Sequence, residues 1–248
     1  MKLQKYLTIF FILIINISVI EIVSADSRVS QDFLMGKFNP KNHPGFVRVN
    51  RKFASRNGMY LQKEAYTAFK RMYQAALKDG VRLRIISATR NYKHQKRIWE
   101  AKWTGRTKVS GKNLAKTISA PVNRAKKILR YSSMPGSSRH HWGTEVDLNS
   151  FNNNWFRYGK GARLYQWLQQ NAKKYGYCQV YTKKNKARLN GYEEEKWHWS
   201  YMPLSSAYTR LSDKHLRPEY FSGFKGSAVA TKIDIINSYV LSINPACK

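Results

Sequence analysis

The chain has 248 residues, 42% of them hydrophobic and 14% aromatic, which suits one sizeable folded domain and excludes a disordered polypeptide. It carries 45 Lys and Arg against 14 Asp and Glu, a formal net charge of +31. This excess predicts attraction to polyanions, such as nucleic acid, anionic lipid head groups or acidic wall polymers. The basic residues are scattered along the chain rather than gathered in one arm, so an ordinary solvated surface is the alternative interpretation.

The amino terminus has the three-part layout of a secretory signal. Lys2 and Lys5 precede an apolar run over residues 6–20, and small residues follow at 23–25, where a signal peptidase would cut. The run is short and interrupted for a membrane span, although an uncleaved anchor is the alternative. We therefore expect a signal peptide over residues 1–25 and export to the periplasm or the extracellular cell envelope.

The residues after this signal predict a mixture of helices and short strands. Their patterns indicate an irregular lead-in over 26–58, a helix over 61–77, a strand over 81–87, a helix over 94–102, a polar loop over 104–116 and a helix over 121–131. Further on, the patterns indicate a strand over 144–148, a helix over 162–175, and strands over 178–182 and 196–201 joined by a basic excursion over 183–190.

Beyond residue 202 the pattern indicates loops with, at most, a short helix. The order of elements predicts an α+β fold, in which a single domain has a small, mostly antiparallel sheet flanked by helices. No internal repeat is present.

Two histidines and an acidic residue form a metal-binding pattern. His140 and Asp147 lie seven residues apart with a glycine between them, and His198 follows further along the chain. Two imidazoles and one carboxylate suit a catalytic Zn²⁺ whose fourth position stays open for water. Glu195, three residues before His198, is then free to act as a base on that water. Taken singly, each of these residues is more simply read as a surface or turn residue.

The pattern resembles the zinc D-Ala-D-Ala carboxypeptidases of the VanY and VanX type, relatives of lysostaphin and of the hedgehog signalling domain. The likeness covers roughly residues 60–205 and includes three motifs in the same order. The first is Ser-x-His-x-x-Gly-x-Ala-x-Asp. The second is Glu-x-x-His, commonly with Trp directly before the histidine. The third, which lies upstream of both, is Ser-x-x-Arg-x-Tyr-x-x-Gln. The matching residues are Ser138, His140, Gly143 and Asp147, then Glu195, Trp197 and His198, and upstream Ser87, Arg90, Tyr92 and Gln95.

The resemblance implies a role for each matching polar residue. His140, Asp147 and His198 would hold Zn²⁺, and Glu195 would be the catalytic base. Arg90 would steady the substrate carbonyl or the charge that develops in the transition state. The substrate-binding residues would be Ser138, which would hold the terminal carboxylate, together with Tyr92 and Gln95. The zinc peptidase domain would then span 26–205, with the lead-in included, and 206–248 would be a C-terminal extension.

Three details of the motifs need a structural answer. His141 is a rival to His140, but the family spacing selects His140, and neighbouring side chains of an extended segment point in opposite directions. Glu145 stands where the family usually has alanine, on the same strand face as Asp147. It could orient a ligand, face a basic neighbour or alter the substrate pocket. A regular strand would separate Glu195 from His198, so we expect a bend or bulge between them.

Cys178 and Cys247 are the only cysteines of the chain. Export permits a disulfide, which would tie the carboxy-terminal tail to the domain, and two free thiols are the alternative. Neither cysteine has the partner spacing of a zinc knuckle.

The activity that the resemblance implies is removal of the terminal D-alanine from peptidoglycan stem peptides. An L,D-carboxypeptidase or a cross-link endopeptidase on the same scaffold is an alternative, since pocket shape rather than zinc sets specificity. A non-catalytic envelope protein that binds polyanions is an alternative of another class. We expect a monomer whose partners are stem peptides and anionic envelope polymers, with no specific nucleic acid.

Overall fold

The computed structural model describes residues 29–247, so the expected signal peptide at 1–25 lies outside the described residues. The chain divides into two units, 1–31 and 32–248, and the second contains both sheets and the candidate site. Within the described range, none of the helices combines the length and the apolar character that a membrane crossing needs.

The described residues contain two small antiparallel sheets. The first pairs β1 (Phe46–Arg48) with β2 (Tyr60–Gln62). The second has four strands in the order β3-β4-β6-β5, formed by β3 (Ile85–Ser87), β4 (Glu145–Leu148), β5 (Tyr177–Cys178) and β6 (His198–Tyr201). All of its pairings are antiparallel.

Helices surround these sheets. The α-helices are α1 (Gln31–Leu34), α2 (Lys63–Lys78), α3 (Tyr92–Trp103), α4 (Leu114–Thr117), α5 (Pro121–Ile128), α6 (Gly159–Asn171) and α7 (Met202–His215). Short 3-10 turns span Arg139–Trp142, Asn153–Arg157, Ala172–Tyr175, Pro218–Tyr220, Ser227–Val229 and Pro245–Cys247, and a π turn spans Ile236–Val240. The α+β prediction is confirmed.

The largest buried cluster joins α2 to the four-stranded sheet. Phe69, Met72 and Ala76 of α2 are fully buried, and their spacing repeats the helical period that the sequence shows. Val146 and Leu148 of β4 belong to the same cluster. Because the apolar residues of β4 lie in this core, the alternate face of the strand, which carries Glu145 and Asp147, is turned towards the candidate site.

Two predicted strands are shorter than expected by three residues or more. In the segment predicted over 81–87, only Ile85–Ser87 is a strand, because the Asn149 side chain hydrogen-bonds the backbone of Arg82 and Arg84 at 3.0 Å each. In the segment predicted over 178–182, pairing ends at Cys178. Beyond it the carbonyls of Val180 and Tyr181 accept hydrogen bonds from the backbone N–H groups of Asn244 and Glu195, respectively, at 2.8 and 2.9 Å.

The expectation beyond residue 202 is loops with a short helix, and the helix found there, α7, is longer than expected at 14 residues. It buries Tyr208 and Leu211, and Pro203 lies in its first turn, where the missing N–H costs nothing. After α7 the chain returns across α3, where Trp99 Nε1 donates to the Lys225 carbonyl at 2.9 Å. Cys178 and Cys247 form a disulfide that fastens the tail beside β5.

The disulfide closes a loop with a sequence separation of 69 residues, which constrains the unfolded chain. Replacing both cysteines with alanine should lower the free energy of unfolding by about 4 kcal/mol on the chain-entropy argument. Chemical denaturation of the oxidised protein and of the double variant measures the difference. Reduced wild-type protein is the control and should match the variant, whereas a difference below about 1 kcal/mol would contradict the expectation.

Candidate metal centre

Three side chains from separate elements meet at one buried point. His140 comes from the 3-10 turn Arg139–Trp142, Asp147 from the middle of β4, and His198 from the first position of β6. His140 Nε2 lies 3.2 Å from Asp147 Oδ2, and His198 Nδ1 lies 3.1 Å from Asp147 Oδ1. One ligand atom from each residue lies within 4.8 Å of the other two. The structure therefore brings together the three residues expected to hold zinc.

Both histidine rings direct one nitrogen to this point. His140 Nδ1 is 2.8 Å from the Ala88 carbonyl, which only accepts, so Nδ1 carries the proton and Nε2 has an available lone pair. His140 Nε2 is buried and makes no hydrogen bond. His198 Nε2 is 2.8 Å from Glu145 Oε2, and this contact turns Nδ1 towards Asp147 Oδ1 at 3.1 Å. Such outer contacts are typical of metal-ligating histidines, so the donor set fits a divalent metal.

Gly143 allows the backbone to pass from the 3-10 turn into β4. Its φ of +73° is in the left-handed region, and a Cβ at this position would lie 2.2 Å from a ring atom of Phe46. Any side chain here would therefore force the two elements apart, with His140 on one and Asp147 on the other.

The family spacing selects His140 over His141, and the structure does place His140 at the centre. The second reason, alternation along an extended segment, is wrong, because the segment is a 3-10 turn in which both rings are buried. His141 Nδ1 contacts the Arg90 carbonyl at 2.5 Å, and its Nε2 accepts a hydrogen bond from the Gly136 N–H at 3.0 Å. Burial lowers the pKa of His141 to about 3. His141 is thus a neutral residue that holds the backbone of Arg90.

Glu195 lies beside the three ligands without being one of the closest set. A turn over residues 195–198, closed by a 3.2 Å hydrogen bond from the His198 N–H to the Glu195 carbonyl, precedes β6. The expected bend is therefore a turn before the strand and not a bulge within it. Glu195 Oε2 is 3.6 Å from His198 Nδ1. Burial raises the pKa of Glu195 to about 8, and the neighbouring Asp147 carboxylate adds to the rise.

A cleft of about 800 Å³ opens onto this centre. Asp147 and Glu195 line its inner end, and Arg90, Lys102 and Trp197 line its walls. Arg90 Nη1 lies 3.9 Å from Asp147 Oδ2. The cleft thus combines one expected ligand, Asp147, and the expected base with two cationic side chains, while His140 and His198 line a smaller cavity behind it.

The residues expected to bind substrate lie in different places. Ser138 is buried, its hydroxyl has no hydrogen-bond partner, and it lines a small cavity of about 20 Å³ beside His198 and Glu195. Tyr92 and Gln95 do not line the cleft. The Tyr92 hydroxyl donates to the Ser222 carbonyl at 2.5 Å, and the Gln95 amide donates to the Ser133 carbonyl at 2.8 Å. Gln95 therefore fixes Ser133, which lines the small cavity, and Tyr92 ties α3 to the segment that follows α7.

Two residues near the centre were not singled out in the sequence. Lys102 extends from α3 to the cleft and donates to the Ser132 hydroxyl. Arg139 directly precedes His140 and is buried. Only the helical position of Lys102 and the adjacency of Arg139 to the motif could have drawn attention to them, because their contacts come from distant parts of the chain.

The chain is similar in sequence to proteins of a known family. A family model described as VanY, D-alanyl-D-alanine carboxypeptidase, matches residues 58–204. YodJ of Bacillus subtilis strain 168 is 34% identical over 169 residues, which cover 67% of this chain and 55% of that protein. The chain spans about half the length of the curated relatives it matches.

Two solved structures are similar in fold. A mutant of the vancomycin resistance D,D-pentapeptidase VanY, in complex with Zn(II), aligns with a TM-score of 0.50 and 20% identity over 75% of this chain and 93% of that chain. The LdcB LD-carboxypeptidase aligns with a TM-score of 0.50 and 27% identity, covering 77% of this chain and 81% of that chain. Both alignments agree with the α+β architecture.

Metal binding at this centre should release a proton. Burial by itself would lower the pKa of His198, but hydrogen bonds to the Asp147 and Glu145 carboxylates raise it to about 9. The metal-free ring is therefore protonated at neutral pH, and a metal must displace that proton. We expect zinc affinity to rise about tenfold per unit between roughly pH 6 and pH 8. Competition with a chromophoric chelator, corrected for the chelator's own protonation, measures this slope, and a flat profile would contradict the expectation.

Proposed function

Because the chain belongs to the VanY family of D-alanyl-D-alanine carboxypeptidases, we propose that it is a zinc-dependent enzyme that removes the terminal D-alanine from peptidoglycan stem peptides. One observation carries the zinc-dependent chemistry. His140, Asp147 and His198 offer ligand atoms within 4.8 Å of one another, and the Glu195 carboxylate lies beside them. Bound zinc would supply a Lewis acid that lowers the pKa of a water molecule to about 7.

Glu195 has the position of a general base. Its Oε2 atom is close to the ligand set, so its carboxylate would accept a proton from a water molecule there and later deliver it to the leaving amine. Burial raises the pKa of Glu195, and a divalent cation at the ligand set would favour the carboxylate that the first transfer needs. Arg90 lines the cleft, and its Nη1 lies 3.9 Å from Asp147 Oδ2. It would stabilise the negative charge that develops on the carbonyl oxygen.

The cleft supports a substrate that carries carboxylates. Arg90 and Lys102 are cations on its walls, and the unpartnered Ser138 hydroxyl faces the small cavity next to the ligands. A terminal carboxylate at this end of the cleft would satisfy these donors. The high positive charge of the whole chain favours approach to an acidic wall polymer.

An L,D-carboxypeptidase is the second candidate. The LdcB LD-carboxypeptidase is 27% identical with a TM-score of 0.50, and the same ligand set and base serve either peptide bond.

The amino-terminal pattern at 1–25 supports export to the periplasm or the cell envelope, where both substrates are found.

Defined muropeptides test the proposal. Zinc-loaded protein incubated with a stem pentapeptide should yield the tetrapeptide and free D-alanine, as seen by mass spectrometry, and should leave the tetrapeptide intact. Conversion of tetrapeptide to tripeptide with no action on the pentapeptide would replace the proposal by the L,D activity. No cleavage of either peptide with zinc bound would reject both.

The Glu195→Ala variant should retain one zinc per chain and lose turnover by about 100-fold to 10,000-fold, because the proton acceptor is gone and the ligands remain. Glu193→Ala is the matched control, since Glu193 pairs with Arg130 and Lys184 and does not line the cleft. Metal analysis and initial rates measure the two effects. Loss of zinc in Glu195→Ala, or full activity, would contradict the role.

The Lys102→Met variant should raise KM for the stem peptide by about tenfold, because a charged donor to a substrate carboxylate is lost. The change in kcat should be smaller. Lys160→Met is the control, since Lys160 is exposed and lies outside the cleft. Steady-state kinetics give both constants, and an unchanged KM would show that Lys102 does not meet the substrate.

A further inference from the structure

Arg139 and Glu145 form a buried ion pair directly behind the metal ligands. Arg139 Nε lies 3.3 Å from Glu145 Oε1, and neither side chain is exposed to solvent. We propose that this ion pair positions the His198 side chain. The pair would hold the ring with Nδ1 towards the metal position, and it would connect the ring to α7. The inference rests on the zinc site of the proposed function.

Glu145 is the residue of the pair that contacts the ligand. Its Oε2 accepts from His198 Nε2 at 2.8 Å, and its Oε1 accepts from the Ser200 hydroxyl at 2.6 Å and from the Thr144 hydroxyl at 3.2 Å. Both oxygens of the Glu145 carboxylate are therefore occupied, and Oε2 faces the His198 nitrogen that points away from His140 and Asp147.

Arg139 keeps this acceptor in place from the other side. Its Nη1 donates to the Thr209 hydroxyl at 2.8 Å and its Nη2 donates to the Ser200 hydroxyl at 3.1 Å. The guanidinium also lies over the ring of Trp142, 4.6 Å from its centroid. Thr209 belongs to α7, so the chain of contacts runs from the metal ligand to a helix whose last eleven residues lie beyond the part matched by the family model.

Stability of the fold does not by itself explain why an ion pair is buried here. Removing two charges from water costs free energy, so a buried ion pair stabilises a fold only weakly. Apolar residues of similar volume often stabilise it as well or better. An apolar pair could not accept a hydrogen bond from His198. A carboxylate behind a ligating histidine fixes the ring and raises its basicity, and losing that contact typically costs about 10-fold to 100-fold in metal affinity.

Two variants separate positioning from stability. In Glu145→Gln the anion behind His198 is lost and Arg139 is left unpaired, so both zinc affinity and thermal stability should fall. In the double variant Arg139→Met with Glu145→Gln, the unpaired charge is also gone. The double variant should regain thermal stability while its zinc affinity stays about 10-fold to 100-fold below that of the wild type.

Zinc affinity is measured by chelator competition, and the visible absorption of the cobalt-substituted protein reports the ligand geometry, so neither readout needs peptidase activity. Glu64→Gln is the matched control, because Glu64 accepts a 2.7 Å hydrogen bond from the Tyr201 hydroxyl on the same strand as His198 but contacts no ligand. It should change neither readout. If Glu145→Gln does not fold, the zinc affinity of the double variant decides alone.

Three results would overturn the inference. Wild-type zinc affinity in Glu145→Gln would remove the positioning role, and recovery of zinc affinity together with stability in the double variant would assign the effect to the unpaired Arg139. Failure of the wild type to bind zinc would reject the zinc site itself, and so is distinguishable from a failure of the positioning role alone.

Discussion

The pairing of β4 with β6 is the constraint on which the candidate site depends. Asp147 and His198 are directly opposite each other in this antiparallel pair, and Ser87 of β3 is opposite Asp147 on its other side. Residues opposite each other in an antiparallel sheet have side chains on the same face, so the register alone brings a carboxylate and an imidazole together. His140 then needs only the tight turn at Gly143 to reach them.

The second constraint is electrostatic. Glu145, Asp147 and Glu195 are carboxylates enclosed within a few ångströms of two imidazoles, in surroundings where an uncompensated charge is costly. Arg139 compensates Glu145, and Arg90 approaches Asp147 from the cleft. Burial would lower the pKa of His198, but the Asp147 and Glu145 carboxylates raise it, whereas the pKa of Glu195 is raised chiefly by burial. A divalent cation would supply positive charge at the same place.

Local patterns predicted the parts of the fold that depend on local physics. The helical spacing of Phe69, Met72 and Ala76 and the alternation in β4 gave α2 and β4 within two residues at each end. The motif residues converge as the resemblance implied. What the sequence could not show were the contacts made across the chain: Asn149 ending β3, Asn244 and Glu195 ending β5, and Thr209 reaching Arg139. The position of Tyr92 likewise depends on a carbonyl at Ser222, which no local pattern specifies.

The register of β4 and β6 also determines where the length of this chain can vary. Side chains alternate between the two faces of a strand, so one inserted or deleted residue within β4 or β6 would turn Asp147 or His198 towards the apolar core. The excursion over 183–190 lies between β5 and β6 and carries no ligand, and a loop over 104–113 lies between α3 and α4, since α4 occupies the end of the loop predicted over 104–116. Insertions and deletions among related chains should therefore collect in these two segments, while the spacing from Gly143 to Asp147 and from Glu195 to His198 stays constant.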